Sequence, residues 1–213
     1  MRRIYMIGKL ISLLSGFVTV AEDVIVTNDE QQATAYKRGV ELISPHMQLL
    51  EREPKVTQRV RDEVTSGIKQ LDAVTAYNPK SWATFWIKGK GYQVLGDPAS
   101  AYSEFKASYA LQKENPDVAR EYAASCLALG RGDEAVKAIQ HAINLTPDDA
   151  GLHANLALAY LISGKNGDAK EAVEKSLRMA PDDKISQAVK QMVDEVLSGK
   201  RQQPKNTADL QKR

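Results

Sequence analysis

Gly91–Phe105, Ser125–Ile139 and Ala159–Val173 read GYQVLGDPASAYSEF, SCLALGRGDEAVKAI and AYLISGKNGDAKEAV. Laid over one another, they keep glycine at Gly96, Gly130 and Gly164 and alanine at Ala101, Ala135 and Ala169, each step 34 residues. Tyr92/Cys126/Tyr160, Phe105/Ile139/Val173 and Tyr109/Ile143/Leu177 run in the same phase. A period of this length, with a small residue, an aromatic and apolar anchors in fixed columns, marks a stack of helical hairpins. Each glycine falls where a first helix must close in a left-handed backbone, which glycine enters without strain. Each alanine falls where the two helices of a hairpin touch, and a larger side chain would part them.

Working outward, the hairpins pair residues 80–95 with 98–113, 116–129 with 132–146, and 150–163 with 167–180. Asp97-Pro98 and Asn115-Pro116 each place a cap before a proline at the first helical position, where its missing N–H costs nothing. Pro147-Asp148-Asp149 and Pro181-Asp182-Asp183 separate a hairpin from the helix after it, and their acids suit a helix N-terminus. A single helix over 183–198 follows, with Ile185, Val189, Met192 and Val196 expected inward. A stack needs such a polar-backed lid on its last unit. Upstream, Thr27-Asn28-Asp29-Glu30 reads as a capping box with Thr27 as the cap. Ala33, Tyr36, Val40, Ile43, Met47 and Leu50 give an apolar stripe that Pro45 must end or kink. Val56, Val60, Val64, Ile68, Leu71 and Val74 give a second stripe, stopped by Asn78-Pro79. Residues 28–77 therefore form a degenerate leading repeat or an N-terminal cap.

The two ends read differently. Residues 1–21 have a basic start and about a dozen apolar residues before Glu22, the outline of an export signal. The same residues place Ile4, Ile7, Ile11, Leu14 and Val18 on one helical face, which suits an amphipathic helix packed on the protein, a partner or a membrane surface. Residues 199–213 are basic and polar without an aromatic, and read as a disordered tail.

With 213 residues, 43% hydrophobic and 26% charged, the chain can bury a core. A net charge of +2 supplies no field that would draw it to nucleic acid. Cys126 is the single cysteine, so no internal disulfide can form. That fits a reducing cytoplasm, with export or membrane attachment through residues 1–21 as the alternative. His46, His141 and His153 lie in no metal-ligand spacing, and no cofactor motif occurs. An enzyme would need its site in residues 1–77, which hold one histidine, no cysteine and no phosphate-binding glycine loop.

The columns resemble the tetratricopeptide repeat. The match runs through Phe85, Gly89, Tyr92, Gly96, Ala101 and Phe105, then Tyr122, Ala123, Gly130, Ala135, Ile139, Ala142 and Pro147. It continues through Leu156, Ala157, Tyr160, Gly164, Ala169, Leu177 and Pro181, covering residues 78–181 as three units (82–115, 116–149 and 150–183). Ala119, His153 and Cys126 depart from the aromatic columns of that family. The resemblance implies an all-α, right-handed superhelical solenoid whose first helices line a concave groove. It places Trp86, Lys90, Gln93 and Val94 in the groove from the first unit. From the second come Arg120, Ala124, Leu127 and Ala128, and from the third Ala154, Leu158, Leu161 and Ile162. It further implies a binding scaffold, adaptor or chaperone-like protein that holds another polypeptide segment, without catalysis. The carboxylate-gripping set of some family members is missing, since Trp86, Glu121 and Gly151 stand in its place. Trp86 reads either as a binding hot spot or as packing against Trp82, Val94 or the leading helices. Lys90 and Arg120 read either as grips for an acidic ligand group or as partners of Glu121 and Asp117. The apolar end of the groove is expected to be covered by the chain itself, by a second copy or by a partner.

Overall fold

Four first helices close in the same way. In the computed structural model, which describes residues 24–47 and 56–211, Gly96, Gly130, Gly164 and Gly199 all adopt φ between 72° and 74°. At each, the following amide reaches back five positions, as Asp97 N to Tyr92 O at 2.9 Å and Lys200 N to Glu195 O at 2.8 Å. The glycine amide itself reaches back by three, as Gly130 N to Leu127 O at 3.1 Å. This is the Schellman closure, and it satisfies carbonyls the helix end would leave open.

Those closures organise α1 (Asp29–Ile43), α2 (Gln58–Tyr77), α3 (Trp82–Leu95), α4 (Pro98–Leu111), α5 (Pro116–Ala128), α6 (Gly132–Leu145), α7 (Ala150–Ile162), α8 (Asn166–Met179) and α9 (Lys184–Leu197). Short 3-10 turns cover Ser44–His46 and Thr207–Gln211, and the described residues include no strand. Sequential helices pair as α1/α2, α3/α4, α5/α6 and α7/α8, and α9 caps α8 and α7. Along the stack each second helix packs on the next first helix, α2 on α3, α4 on α5, α6 on α7 and α8 on α9, and first helices also meet, α1 with α3, α5 with α7 and α7 with α9. A curved stack brings its inner members closest, so α1, α3, α5, α7 and α9 form the inner wall.

Within hairpins, Ala101, Ala135 and Ala169 are buried as their spacing predicts. Two serines brace the stack from an unforeseen column. Ser108 Oγ donates to the Trp82 carbonyl at 3.0 Å, and Ser176 Oγ to the Ala150 carbonyl at 2.8 Å. In the leading hairpin, α1 and α2 cross at Gly39 and Gly67. A Cβ on either glycine would stand 3.0–3.1 Å from the other's carbonyl oxygen. The core divides into a cluster around Ile43, Val64, Ile68, Leu71 and Ile87 and a larger one spanning α4 to α9.

Some expectations shift. The cap of α1 is Asn28, whose side chain accepts from Gln31 N, and Gln31 Oε1 accepts from Thr27 N, so the box stands one residue later. Ala33 is exposed and Ala35 buried, because the stripe that meets α2 at Gly39 runs through Ala35, Gly39 and Ile43. Leu50 and residues 1–21 lie outside the described residues. In α9, Ser186, Val189 and Val193 face inward and Ile185 is 58% exposed, because no helix lies beyond it. The Ser186 hydroxyl is buried against Ser176 Oγ at 2.7 Å. The tail read as disordered is folded over residues 200–211, where Pro204 is buried. Composition reports the mean polarity of that stretch and is blind to the few residues that seat it. No described helix is long and apolar enough to cross a membrane.

Candidate partner-binding groove

The inner wall is knit by charge from one unit to the next. Lys90 Nζ on α3 stands 2.6 Å from Glu121 Oε1 on α5 and 5.4 Å from the centre of the Trp86 ring. Gln93 Nε2 reaches the other Glu121 oxygen at 3.4 Å. One unit further, the Arg120 guanidinium on α5 pairs with Asp149, the cap of α7, and lies 3.6 Å from Asp117. The two wall cations are thus spent on acids of the protein, the second of the two readings given above. Arg120 Nε is buried without a partner.

The expected groove residues separate into two groups. Gln93 and Ala124 are exposed, and Trp86, Lys90, Val94, Arg120, Ala128 and Leu158 are half-buried, so all of these reach the wall surface. Leu127, Ala154, Leu161 and Ile162 do not. They are 4%, 1%, 0% and 9% exposed, and belong to the packing of α5, α7 and α9 against one another. First helices that touch along the stack bury the positions on their flanks and leave only the centre line open. Trp86 packs against both core clusters, joining the leading helices to the repeats.

Residues absent from the expected set occupy the wall's C-terminal half. The chain leaves α9 at Gly199 and turns back along the stack. Arg201 Nε meets Glu195 Oε2 at 2.8 Å. The Gln203 side-chain amide donates to the Leu161 carbonyl and accepts from Asn166 Nδ2 at 2.9 Å. The 3-10 turn Thr207–Gln211 ends against α5. The signals that could have marked this segment are Pro204 and Gly199, the latter one residue out of the 34-residue phase.

Nothing in the wall is poised for nucleophilic chemistry. Burial pushes the Cys126 thiol up to about 12, far from a thiolate. Burial holds the His153 imidazole below its ordinary range, with Lys175 adding to the effect. No group of three His, Cys, Asp or Glu side chains that could hold a metal occurs among the described residues.

Comparison with known proteins agrees with this architecture. Models of the tetratricopeptide repeat match residues 95–154 and 150–183. No curated protein sequence matches the chain. Among solved structures, it is similar to MamA 41-end from Desulfovibrio magneticus RS-1, at 15% identity and TM-score 0.63, over 79% of this chain and 86% of that one. It is similar to PilF of Pseudomonas aeruginosa at 20% identity and TM-score 0.58, over 79% and 71% of the two chains. A third likeness is the first repeat domain of Spaghetti (RPAP3) bound to the HSP90 peptide SRMEEVD, at 17% identity and TM-score 0.51, over 56% and 94%. Periodic closures, buried alanine columns, an inner wall of first helices and these matches agree: residues 95–183 are built of tetratricopeptide repeats, set in an all-α right-handed solenoid.

Proposed function

We propose that this protein is a non-enzymatic interaction scaffold that holds a segment of another polypeptide on its inner wall. The observation that carries this reading is the open centre line from Trp86 through Gln93 to Ala124. It offers an aromatic face, amide groups and a shallow apolar floor with no catalytic group beside them. Such a mixed, rigid wall suits a docked chain. The RPAP3 domain bound to an HSP90 peptide shows that this fold can hold one. The segment held here is not one gripped through its terminal carboxylate, because Lys90 and Arg120 are already paired.

A photo-crosslinker at Gln93 tests this. In extract from the native source it should label a discrete polypeptide, and Ala124→Arg should abolish the labelling by filling the exposed floor. The same label at Lys137, an exposed residue of α6 on the outer layer, should give no matching adduct. Equal labelling from Gln93 and Lys137, or labelling that survives Ala124→Arg, would remove the groove from the function.

A further inference from the structure

The segment 200–211 is seated by specific groups, and those groups fall in a row. Glu195 on α9 takes Arg201, the Leu161 carbonyl and Asn166 take Gln203, and the α5–α6 turn at Gly130 takes Lys205. Residues 201, 203 and 205 thus meet successive units at every second position, the repeat of an extended chain. Pro204 is buried between the last two contacts.

The turn glycines give an independent sign. Gly96, Gly130 and Gly164 share one backbone conformation, yet a Cβ on Gly96 or Gly164 would meet nothing within 4 Å. On Gly130 it would stand 2.6 Å from the Lys205 carbonyl oxygen. The approach of the segment is close enough at this one turn to need the missing side chain.

The seat stays partly open to solvent. A cleft of about 1050 Å³ lies between the segment and α9, walled by Ala188, Gln191 and Met192. A segment held by a handful of polar contacts beside an open cleft is one that another chain can displace.

We infer that the C-terminal half of the wall is a binding site for an extended basic polypeptide segment of the type Arg-x-Gln-Pro, and that residues 200–211 fill it in cis until a partner segment of that chemistry displaces them. This rests on the reading of the wall as a polypeptide-binding surface, and it names the occupant of one half of it. Glu195 selects the arginine, Asn166 and the Leu161 carbonyl read the amide, and the glycine turn admits only a close backbone. A tethered occupant competes at an effective concentration in the millimolar range, so an incoming segment binds weakly until the tether is loosened.

The test uses the whole chain and a fluorescent peptide of sequence GKRQQPKNTADLQ, residues 199–211. The double variant Arg201→Ala/Gln203→Ala alters only the occupant and leaves Glu195, Asn166 and Gly130 in place. It should bind the peptide at least about ten-fold more tightly than the unaltered chain, with helical circular dichroism unchanged. Adding Asn166→Ala to that variant should return binding toward the level of the unaltered chain. Equal binding by the double variant and the unaltered chain, or binding indifferent to Asn166→Ala, overturns the inference. If the peptide fails while the Gln93 crosslink to a partner persists, this site falls and the scaffold reading stands. If the crosslink fails while the peptide binds as expected, the site stands and the foreign partner at the N-terminal half falls.

Discussion

Lys88 is a residue whose burial has to be justified by its neighbours. It is 6% exposed, with its ammonium 2.8 Å from Asp72 and 2.9 Å from Glu104, and so ties α2, α3 and α4 together. Burial pushes the Glu104 carboxyl above the ordinary carboxylate range, and Lys88 pulls against that shift. Removing the ammonium leaves a buried carboxylate whose Oε2 already lacks a partner. Lys88→Ala should therefore cost about 3 kcal/mol in urea unfolding at neutral pH. The loss should shrink toward pH 4, where Glu104 can take a proton in the folded state. His153 titrates with the opposite consequence. It is 3% exposed, its Nε2 has no partner, and burial holds its folded-state pKa below the ordinary imidazole value of about 6.5. The unfolded chain then binds the proton first, so stability is complete above that value and falls as the pH drops below it. Melting temperatures between about pH 7.5 and 5.5 should fall more for the wild type than for His153→Phe, which carries no proton there. Parallel curves would mean that His153 stays neutral in both states.

At the scale of elements, the caps were legible and the faces only partly so. Asp97, Asn115, Asp149 and Asp183 all cap as their place before or after proline suggested. The glycine closures followed from the period. A closure obeys local backbone geometry, which sequence spacing reports directly. A face is set by what packs on it, which is why Val193 rather than Ile185 turned inward and why Leu127 and Leu161 left the groove for the core. The seating of residues 200–211 was illegible for the same reason, since Gln203 and Lys205 find their partners far off in sequence, in α7, α8 and the α5–α6 turn. Asp149 separates two contributions within one side chain. It caps α7 by accepting from Leu152 N at 3.2 Å, and it pairs with Arg120, whose side chain is 38% exposed. Asn keeps a cap and loses the charge. Asp149→Ala should then cost about 1 kcal/mol, and Asp149→Asn under about 0.5 kcal/mol, because a pair this exposed is screened by solvent. Equal losses in the two variants would assign the stability to the pair.

Across the whole molecule, the repeats and the leading hairpin meet at α3, which packs on α2 and touches α1. The smaller cluster of α1–α3 and the larger one of α4–α9 share Trp86 and Tyr92 as half-buried neighbours of both. In a linear stack, each unit is stabilised by its own contacts and by those with its neighbours, so cooperativity is only as strong as its weakest interface. Trp86 is the largest side chain shared by the two clusters, and truncating a large packed aromatic costs about 3 kcal/mol or more. The intact chain should therefore unfold in a single calorimetric transition, whereas Trp86→Ala should resolve two. Hydrogen exchange identifies them. Amides of α2 around Val64 and Leu71 should lose protection first, while those of α7 around Leu152 keep theirs. If Trp86→Ala instead lowers one undivided transition, with α2 and α7 losing protection together, the joint lies elsewhere, and Lys88 with its two carboxylates is then the interaction that couples the hairpin to the repeats.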